Sequence, residues 1–330
     1  MKIHELNYDL PEELIAQHAL VKREQARLLV LDRASGKIVH TVFERISDHT
    51  NPGDVIVINN TRVFKARLIA HKQTGGKVDI LLTRVISSRR AMAMISHARR
   101  TKVDTRLSID PEVNARIIEK QGSLCSLEFN QPVKKIIAEH GIVPLPHYIK
   151  RAATSHDEKD YQTVFADKDG SIAAPTAGLH FTEDIIQEMQ TRNVMVCEIT
   201  LHIGPGTFKP IRVDDIEDHK MDAEYYEIPE NTIQAIEKAE RVIGVGTSVC
   251  RAMESYALSG ARNGMADLFI HPGHEFKIID ALITNFHMPC STPLVLVSAF
   301  ASKDLILTTY NEAIQEGYRF LSYGDAMLIV

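Results

Sequence analysis

The sequence predicts an α/β protein: a layered, discontinuous α/β domain interrupted by a small antiparallel β-barrel-like domain. Three observations carry that expectation. The chain has 330 residues, beyond the roughly 250–300 at which a single hydrophobic core stops growing. From about residue 155 onward strand and helix signals alternate, the pattern of a sheet with parallel pairing. Between residues 66 and 150 the signals are short β-prone runs broken by turn residues, as in a small sheet or barrel. The α/β domain is therefore placed at 1–65 and 151–330, and the inserted domain at 66–150.

Taken in order, Pro11-Glu-Glu-Leu-Ile-Ala opens a helix with proline and acids in its first turn. Arg27-Leu-Leu-Val-Leu-Asp and Asp54-Val-Ile-Val-Ile-Asn-Asn are buried strands. Lys77-Val-Asp-Ile-Leu-Leu, Thr105-Arg-Leu-Ser-Ile and Ser123-Leu-Cys-Ser-Leu-Glu-Phe are short strands, set off by turns such as Gly75-Gly76 and Gln121-Gly122. Thr182 caps a helix whose first turn is acidic, and Val194 to Ile199 is a strand. Asn231 to Arg241 has helical period, Val242 to Gly246 reads as a strand, and Ser248 to Tyr256 as a helix. Asp267-Leu-Phe-Ile and Phe276-Lys-Ile-Ile-Asp read as further strands. Ser291 to Phe300 and Asp304 to Glu316 are closing helices.

Composition narrows the class. With 44% hydrophobic and 25% charged residues the chain is ordinary globular protein. No apolar run approaches the ~18 residues of a membrane helix, and the N-terminus lacks a basic-then-apolar signal pattern. Cys125, Cys197, Cys250 and Cys290 lie far apart with no CxxC pair, which fits free thiols in a reducing compartment. The expected location is cytoplasmic, with no membrane contact and a monomeric state. A net charge of −5 argues against a surface that grips nucleic acid all round. Any such contact must be local, and one candidate exists. Arg84, Arg89, Arg90, Arg99, Arg100, Lys102 and Arg106 have only Asp104 as an acidic neighbour, although a solvated charged face has the same composition.

Four segments have the character of ligand-binding strand ends, where glycine lets backbone approach closely. Ala173-Ala-Pro-Thr-Ala-Gly-Leu-His-Phe-Thr182 puts Thr176, Gly178 and His180 on a loop before a capped helix. His202-Ile-Gly-Pro-Gly-Thr-Phe208 brings His202, Gly206 and Thr207 to the end of a strand. The run 214–224 offers His219, Asp222 and Glu224 as groups able to take a proton near neutral pH. Ile243-Gly-Val-Gly-Thr-Ser-Val-Cys-Arg251 resembles half of a nucleotide-binding turn but is not GxGxxG. With Asp280 to Thr292, which carries Asn285 and His287, it supplies a second pocket wall. No HExxH or similar ligand spacing occurs, so no metal site is expected. These residues alone describe an α/β enzyme for a small polar, nucleoside-like ligand and leave the reaction open.

The same segments resemble one family. Tyr8-Asp-Leu-Pro-Glu-Glu-Leu-Ile-Ala-Gln17, Asn59-Asn-Thr-Arg-Val-Phe-Lys-Ala-Arg-Leu68 and Asp160-Tyr-Gln-Thr-Val-Phe-Ala166 look like its N-terminal and central signatures. Ala174-Pro-Thr-Ala-Gly-Leu-His-Phe-Thr182, Gly204-Pro-Gly-Thr-Phe208, Thr284-Asn-Phe-His-Met-Pro289 and Tyr318 to Ile329 continue the series in order. The chain is similar from end to end to the S-adenosylmethionine:tRNA ribosyltransferase-isomerases of queuosine biosynthesis. The resemblance implies transfer and isomerisation of the ribosyl moiety of S-adenosylmethionine onto 7-aminomethyl-7-deazaguanine at the tRNA wobble position. Epoxyqueuosine-tRNA forms, with adenine and methionine released. S-adenosylmethionine is then a consumed substrate, no true cofactor is implied, and tRNA is the macromolecular partner. On this reading His180, His202, Glu224 and His219 are the catalytic candidates, and Thr176, Gly178, Gly206, Thr207, Asn285 and His287 shape the substrate pocket. Arg89, Arg90, Arg99, Arg100 and Lys102 are the candidate tRNA contacts.

The chain departs from the family pattern at several of these places. Asp222 stands where histidine is usual, His147 where proline is, and Cys290 where lysine is common. The basic stretch of the middle domain, Ala91 to Arg100, lacks its usual Trp and Pro. A divergent paralogue with an altered substrate is the alternative these changes leave open. A tRNA-binding protein without turnover is a second. A conventional methyltransferase is a third, disfavoured by the absence of a GxGxxG strand turn near the N-terminus.

Overall fold

The computed structural model describes residues 1–208 and 211–330, and the side chains of Thr207 and Phe208 lie outside the described residues. In chain order the first part holds β1 (Arg27–Leu31), β2 (Ile38–Val42), β3 (Asp54–Asn59) and β4 (Thr61–Val63). The inserted part follows with β5 (Arg67–Lys72), β6 (Lys77–Ser87), β7 (Arg90–Ile95), β8 (Arg106–Ser108), β9 (Asn114–Gln121), β10 (Leu124–Phe129) and α1 (Val133–His140). The chain then returns through α2 (Asp157–Asp160), β11 (Lys168–Ser171), α3 (Glu183–Thr191), β12 (Met195–Leu201), β13 (Glu224–Glu227) and α4 (Glu230–Ile236). It closes with β14 (Arg241–Val245), α5 (Thr247–Ser259), β15 (Asn263–Ala266), β16 (Ala281–Asn285), α6 (Thr292–Ala301), α7 (Lys303–Gln315) and β17 (Ala326–Ile329).

The larger sheet has nine strands in the order β15-β13-β12-β3-β14-β16-β17-β1-β2. Its middle, β12-β3-β14-β16, is parallel throughout. Every residue of β3 is buried, as expected of a parallel strand covered on both faces. β13, β15, β17 and β2 add antiparallel pairs. Ser291 caps α6 through the Leu294 amide, and Pro293 sits in its first turn. Among the described residues no single helix is long and apolar enough to cross a membrane.

The inserted part closes on itself as a six-stranded barrel, β10-β7-β6-β5-β8-β9, with every neighbouring pair antiparallel. Alternate residues point inward, and Ala66, Ala70, Ala91, Ala93 and Ala115 among them leave room for Leu68, Ile80, Leu82, Ile117 and Leu127. The two ends of the insert meet: Arg67 and Ile142 exchange both backbone hydrogen bonds, at 3.1 and 2.8 Å. The expected α/β layer with a barrel-like insert is thus the architecture observed.

Three local expectations are corrected. The helix opened by Pro11 is a single 3-10 turn, Glu12–Leu14. Asp267–Ile270 and Phe276–Asp280 are not strands. The buried Glu254 carboxylate accepts the backbone N–H groups of Lys277, Ile278 and Ile279 at 2.9–3.1 Å, so these donors are not free for a ladder. β17 takes a central place between β16 and β1 instead.

Candidate active-site cleft

The carboxyl ends of β12, β3, β14 and β16 lie together on one edge of the sheet, where open α/β sheets bind ligands. Asn59 ties them. Its amide donates to the Leu201 carbonyl at 3.0 Å and to Ser248 Oγ at 3.3 Å, and its oxygen accepts from the Leu201 N–H at 3.0 Å. Beyond this edge is a cleft of about 250 Å³. Its floor is Gly246-Thr247-Ser248, where β14 turns into α5. Gly246 sits at φ +91°, a conformation only glycine adopts without strain. One wall is Ala173–Ala177, and another is Thr284–Thr292. The third carries Phe269, Met221, Glu224 and Arg251. Tyr148 and His147, on the segment returning from the barrel, complete the rim.

In the third wall the Arg251 guanidinium contacts Glu224 at 2.5 Å, both side chains being buried. Arg251 also donates to the Ala266 carbonyl at 2.8 Å and the Leu268 carbonyl at 3.2 Å. The other Glu224 oxygen accepts the Gly204 N–H at 2.8 Å. The carboxylate therefore joins β13 to α5 and to the glycine loop. Within that loop Gly206 approaches Asp222 so closely that a Cβ would lie 2.6 Å from its Oδ2. Of Thr207 only the backbone, within the turn Pro205–Phe208, is described.

In the opposite walls the Thr176 hydroxyl donates to Asn285 Oδ1 at 2.8 Å. The Asn285 amide donates to His180 Nε2 at 3.1 Å and to the Asp325 carbonyl at 3.3 Å. His180 lies behind this pair, buried against Phe43, and lines a second cavity of about 290 Å³ between residues 19–24 and 322–324. Burial, together with the Arg23 and Arg319 charges, pushes its pKa down to about 4, against a hydrogen bond to the Arg23 backbone. His287 does line the cleft. Its Nε2 meets Thr284 Oγ1 at 2.8 Å, its N–H donates to the Tyr310 hydroxyl at 3.1 Å, and its carbonyl accepts from Tyr8. Burial lowers its pKa to about 3.

The structure thus brings together Thr176, Glu224, Asn285 and His287. His202 is turned away, with Nδ1 2.8 Å from Thr61 Oγ1 and its ring stacked on Tyr225. His219 packs edge-on against the Phe269 ring, its pKa lowered by burial. Gly178 packs on Phe165 and Thr163 and has no room for a side chain. Among the described residues no group of three His, Cys, Asp or Glu side chains could hold a metal ion. His147 and Cys290, two of the departures from the family pattern, both line the cleft. Arg251, Tyr148 and Phe269 were not expected there. Thr247, Ser248 and Arg251 have the spacing of one helix face, the signal that could have found Arg251.

The basic residues are all exposed but form two clusters rather than one. Arg84, Arg89 and Arg90 surround the β6–β7 turn, and Arg90 is held by Glu128 at 2.8 Å. Arg99, Arg100 and Lys102 lie beyond the other end of β7, about 17 Å away at ~3.3 Å per residue. There Lys120 donates to the Thr101 carbonyl at 2.8 Å and Lys72 to the Arg100 carbonyl at 3.3 Å, adding two more cations.

A family model described as queuosine biosynthesis protein matches residues 3–329. The chain is 44% identical over its whole length, and that of the relative, to the S-adenosylmethionine:tRNA ribosyltransferase-isomerase of a Sulfurihydrogenibium species. It is 46% identical, again over both full lengths, to the protein of that name in Thermodesulfovibrio yellowstonii. Among solved structures it resembles the S-adenosylmethionine tRNA ribosyltransferase of Thermotoga maritima. The TM-score is 0.57 at 32% identity, covering 99% of this chain and 100% of the other.

Proposed function

The chain belongs to the queuosine biosynthesis protein family, and we propose that it is an S-adenosylmethionine:tRNA ribosyltransferase-isomerase. In the finer form of this reading it moves the ribosyl group of S-adenosylmethionine to 7-aminomethyl-7-deazaguanine at the tRNA wobble position. It leaves epoxyqueuosine and releases adenine and methionine. The observation that carries the reading is the full-length match to enzymes of that name, joined to a cleft at the carboxyl ends of four parallel strands.

The chemistry asks for a base, a place for departing adenine and exclusion of water. A sulfonium acidifies the adjacent ribose carbon. Removal of that proton opens the ring with loss of adenine, the aminomethyl nitrogen attacks, and rearrangement expels methionine. We assign proton transfer to groups in the cleft wall, Glu224 and His287. No described residue hydrogen-bonds His287 Nδ1, which supports its place in that pair. Phe269 and Tyr148 supply flat faces for a purine. His202 and His219 are assigned to holding the loops that flank the cleft. The barrel, taken as residues 66–150, carries tRNA on its two basic clusters. Four free cysteines fit a cytoplasmic protein, and a monomer has all these groups in one chain.

The test is mass spectrometry of nucleosides from tRNA bearing the aminomethyl precursor, after incubation with the chain and S-adenosylmethionine. Epoxyqueuosine, with equimolar adenine and methionine, is expected. S-adenosylhomocysteine instead would mark a methyltransferase, and unchanged nucleoside would sink the reading.

A further inference from the structure

The hydrogen bonds behind the cleft run in one forced sense. The Asp325 backbone carbonyl can only accept, so the Asn285 atom facing it, 3.3 Å away, is the amide nitrogen. That nitrogen also faces His180 Nε2 at 3.1 Å, which must then be a bare acceptor, with the ring proton on Nδ1. The Asn285 oxygen consequently faces Thr176 and takes its hydroxyl hydrogen at 2.8 Å. His180 is buried, at 4% exposure. Thr176, in contrast, lines the cleft, and its oxygen has only lone pairs left to offer there.

We propose that His180 is a positioning residue. Together with the Asp325 carbonyl it accepts from the Asn285 amide and holds Asn285 in the sense that leaves Thr176 a hydrogen-bond acceptor in the cleft, which selects a substrate that presents an O–H or N–H at that point. The inference rests on the functional reading above and deepens it by naming what this wall recognises. On S-adenosylmethionine the donor is a ribose hydroxyl or the exocyclic amine of adenine. A site built to bond a donor rejects an analogue that lacks it far more strongly than an apolar wall can.

The experiment is steady-state turnover on precursor tRNA, read as adenine release, for the parent chain, His180→Ala, His180→Gln and Thr176→Val. Glutamine can place an oxygen near the position of Nε2 and keep the acceptor; alanine cannot. Each is assayed with S-adenosylmethionine and with its 2′-deoxy, 3′-deoxy and N6,N6-dimethyl forms. His180→Ala is expected to raise KM for S-adenosylmethionine at least tenfold, and His180→Gln to stay within about threefold of the parent. The analogue whose kcat/KM penalty collapses in Thr176→Val identifies the donor. If His180→Ala does not fold, the nearly isosteric Thr176→Val and the conservative His180→Gln carry the test. Equal damage from alanine and glutamine at 180 overturns the proposal, since the ring would then act as a proton carrier. Undiminished discrimination among all analogues in Thr176→Val also overturns it. No turnover by the parent chain overturns the functional reading itself.

Discussion

At the scale of single residues, the cleft is organised by charges and rings removed from water. Arg251 and Glu224 are the sharpest case, because breaking a buried pair by deleting one partner costs about 3–5 kcal/mol. Arg251→Met keeps the length of the side chain but withdraws the cation and its bonds to Ala266 and Leu268. It should lower the unfolding free energy by that amount, read from the urea midpoint and the m-value, and weaken substrate binding with it, as the Gly204 loop loosens. A midpoint within 0.5 kcal/mol of the parent, once scaled by the m-value, would contradict this account. The buried histidines set an acid limit. His180 and His287 have folded pKa values of about 4 and about 3, below the ~6.5 of an unfolded chain. Their contribution to stability is complete above about pH 6.5 and is lost as pH falls toward the folded values. Asp325 acts oppositely: burial raises its pKa, so its contribution is present at low pH and fades as pH rises through the raised value. The histidines are expected to dominate between pH 6.5 and 5, each removing about 1–2 kcal/mol. Urea titrations at pH 7 and pH 5 check this, because His287→Gln should shrink the difference by its own share, about 1–2 kcal/mol, and leave that of His180.

Among elements, the strand ends line the cleft, and the barrel carries the basic clusters at the two ends of β7. Arg99 and Arg100 lie on an exposed turn with no acidic partner among the described residues, whereas Arg90 is engaged by Glu128. Each phosphate contact contributes about −0.9 to the slope of log affinity against log salt. Reversing Arg99 and Arg100 to glutamate should therefore reduce that slope by about two and weaken tRNA binding at low salt. Arg90→Ala should change it little, because its charge is already balanced by Glu128. Filter binding across a salt series measures both, and an unchanged slope in the double reversal would show the cluster to be merely solvated. The strand over 54–60 and the polar end at Asn285 and His287 were legible from the chain alone, because a fully apolar run followed by polar residues is local information. The pairing of Arg251 with Glu224 was not, since it depends on β13 crossing to the sheet edge beside α5. Nor was the loss of strand character at 276–280, where the distant Glu254 carboxylate occupies the N–H groups of Lys277, Ile278 and Ile279. One run of basic residues in sequence became two clusters because β7 lies between them.

For the whole molecule, the decisive feature is that the barrel is a closed unit whose ends touch. Its six strands leave no unpaired edge, and its interior is a core of its own, joined from the larger domain by Ile172 and Phe64. Arg67 and Ile142 are hydrogen-bonded neighbours, so the chain leaves and re-enters the larger domain at one point. Removing the residues between them and bridging the gap with two or three glycines therefore asks little of the remaining backbone. The segment that follows is different. Val143 and Ile149 pack with Val63, Tyr161 and Tyr323, and Tyr148 binds Ser322 at 2.6 Å across the rim of the cleft. A deletion carried to residue 150 would strip that rim, whereas one ending at Gly141 spares it. The shorter deletion is expected to fold, to retain a cooperative melt and a cleft with Tyr148 in place, and to lose affinity for tRNA by at least two orders of magnitude. The longer one should be several degrees less stable than the shorter. Calorimetry and tRNA binding on the two deletions decide it. If the shorter deletion still binds tRNA as the parent does, recognition lies on the α/β domain, and the basic clusters of the barrel have no part in it.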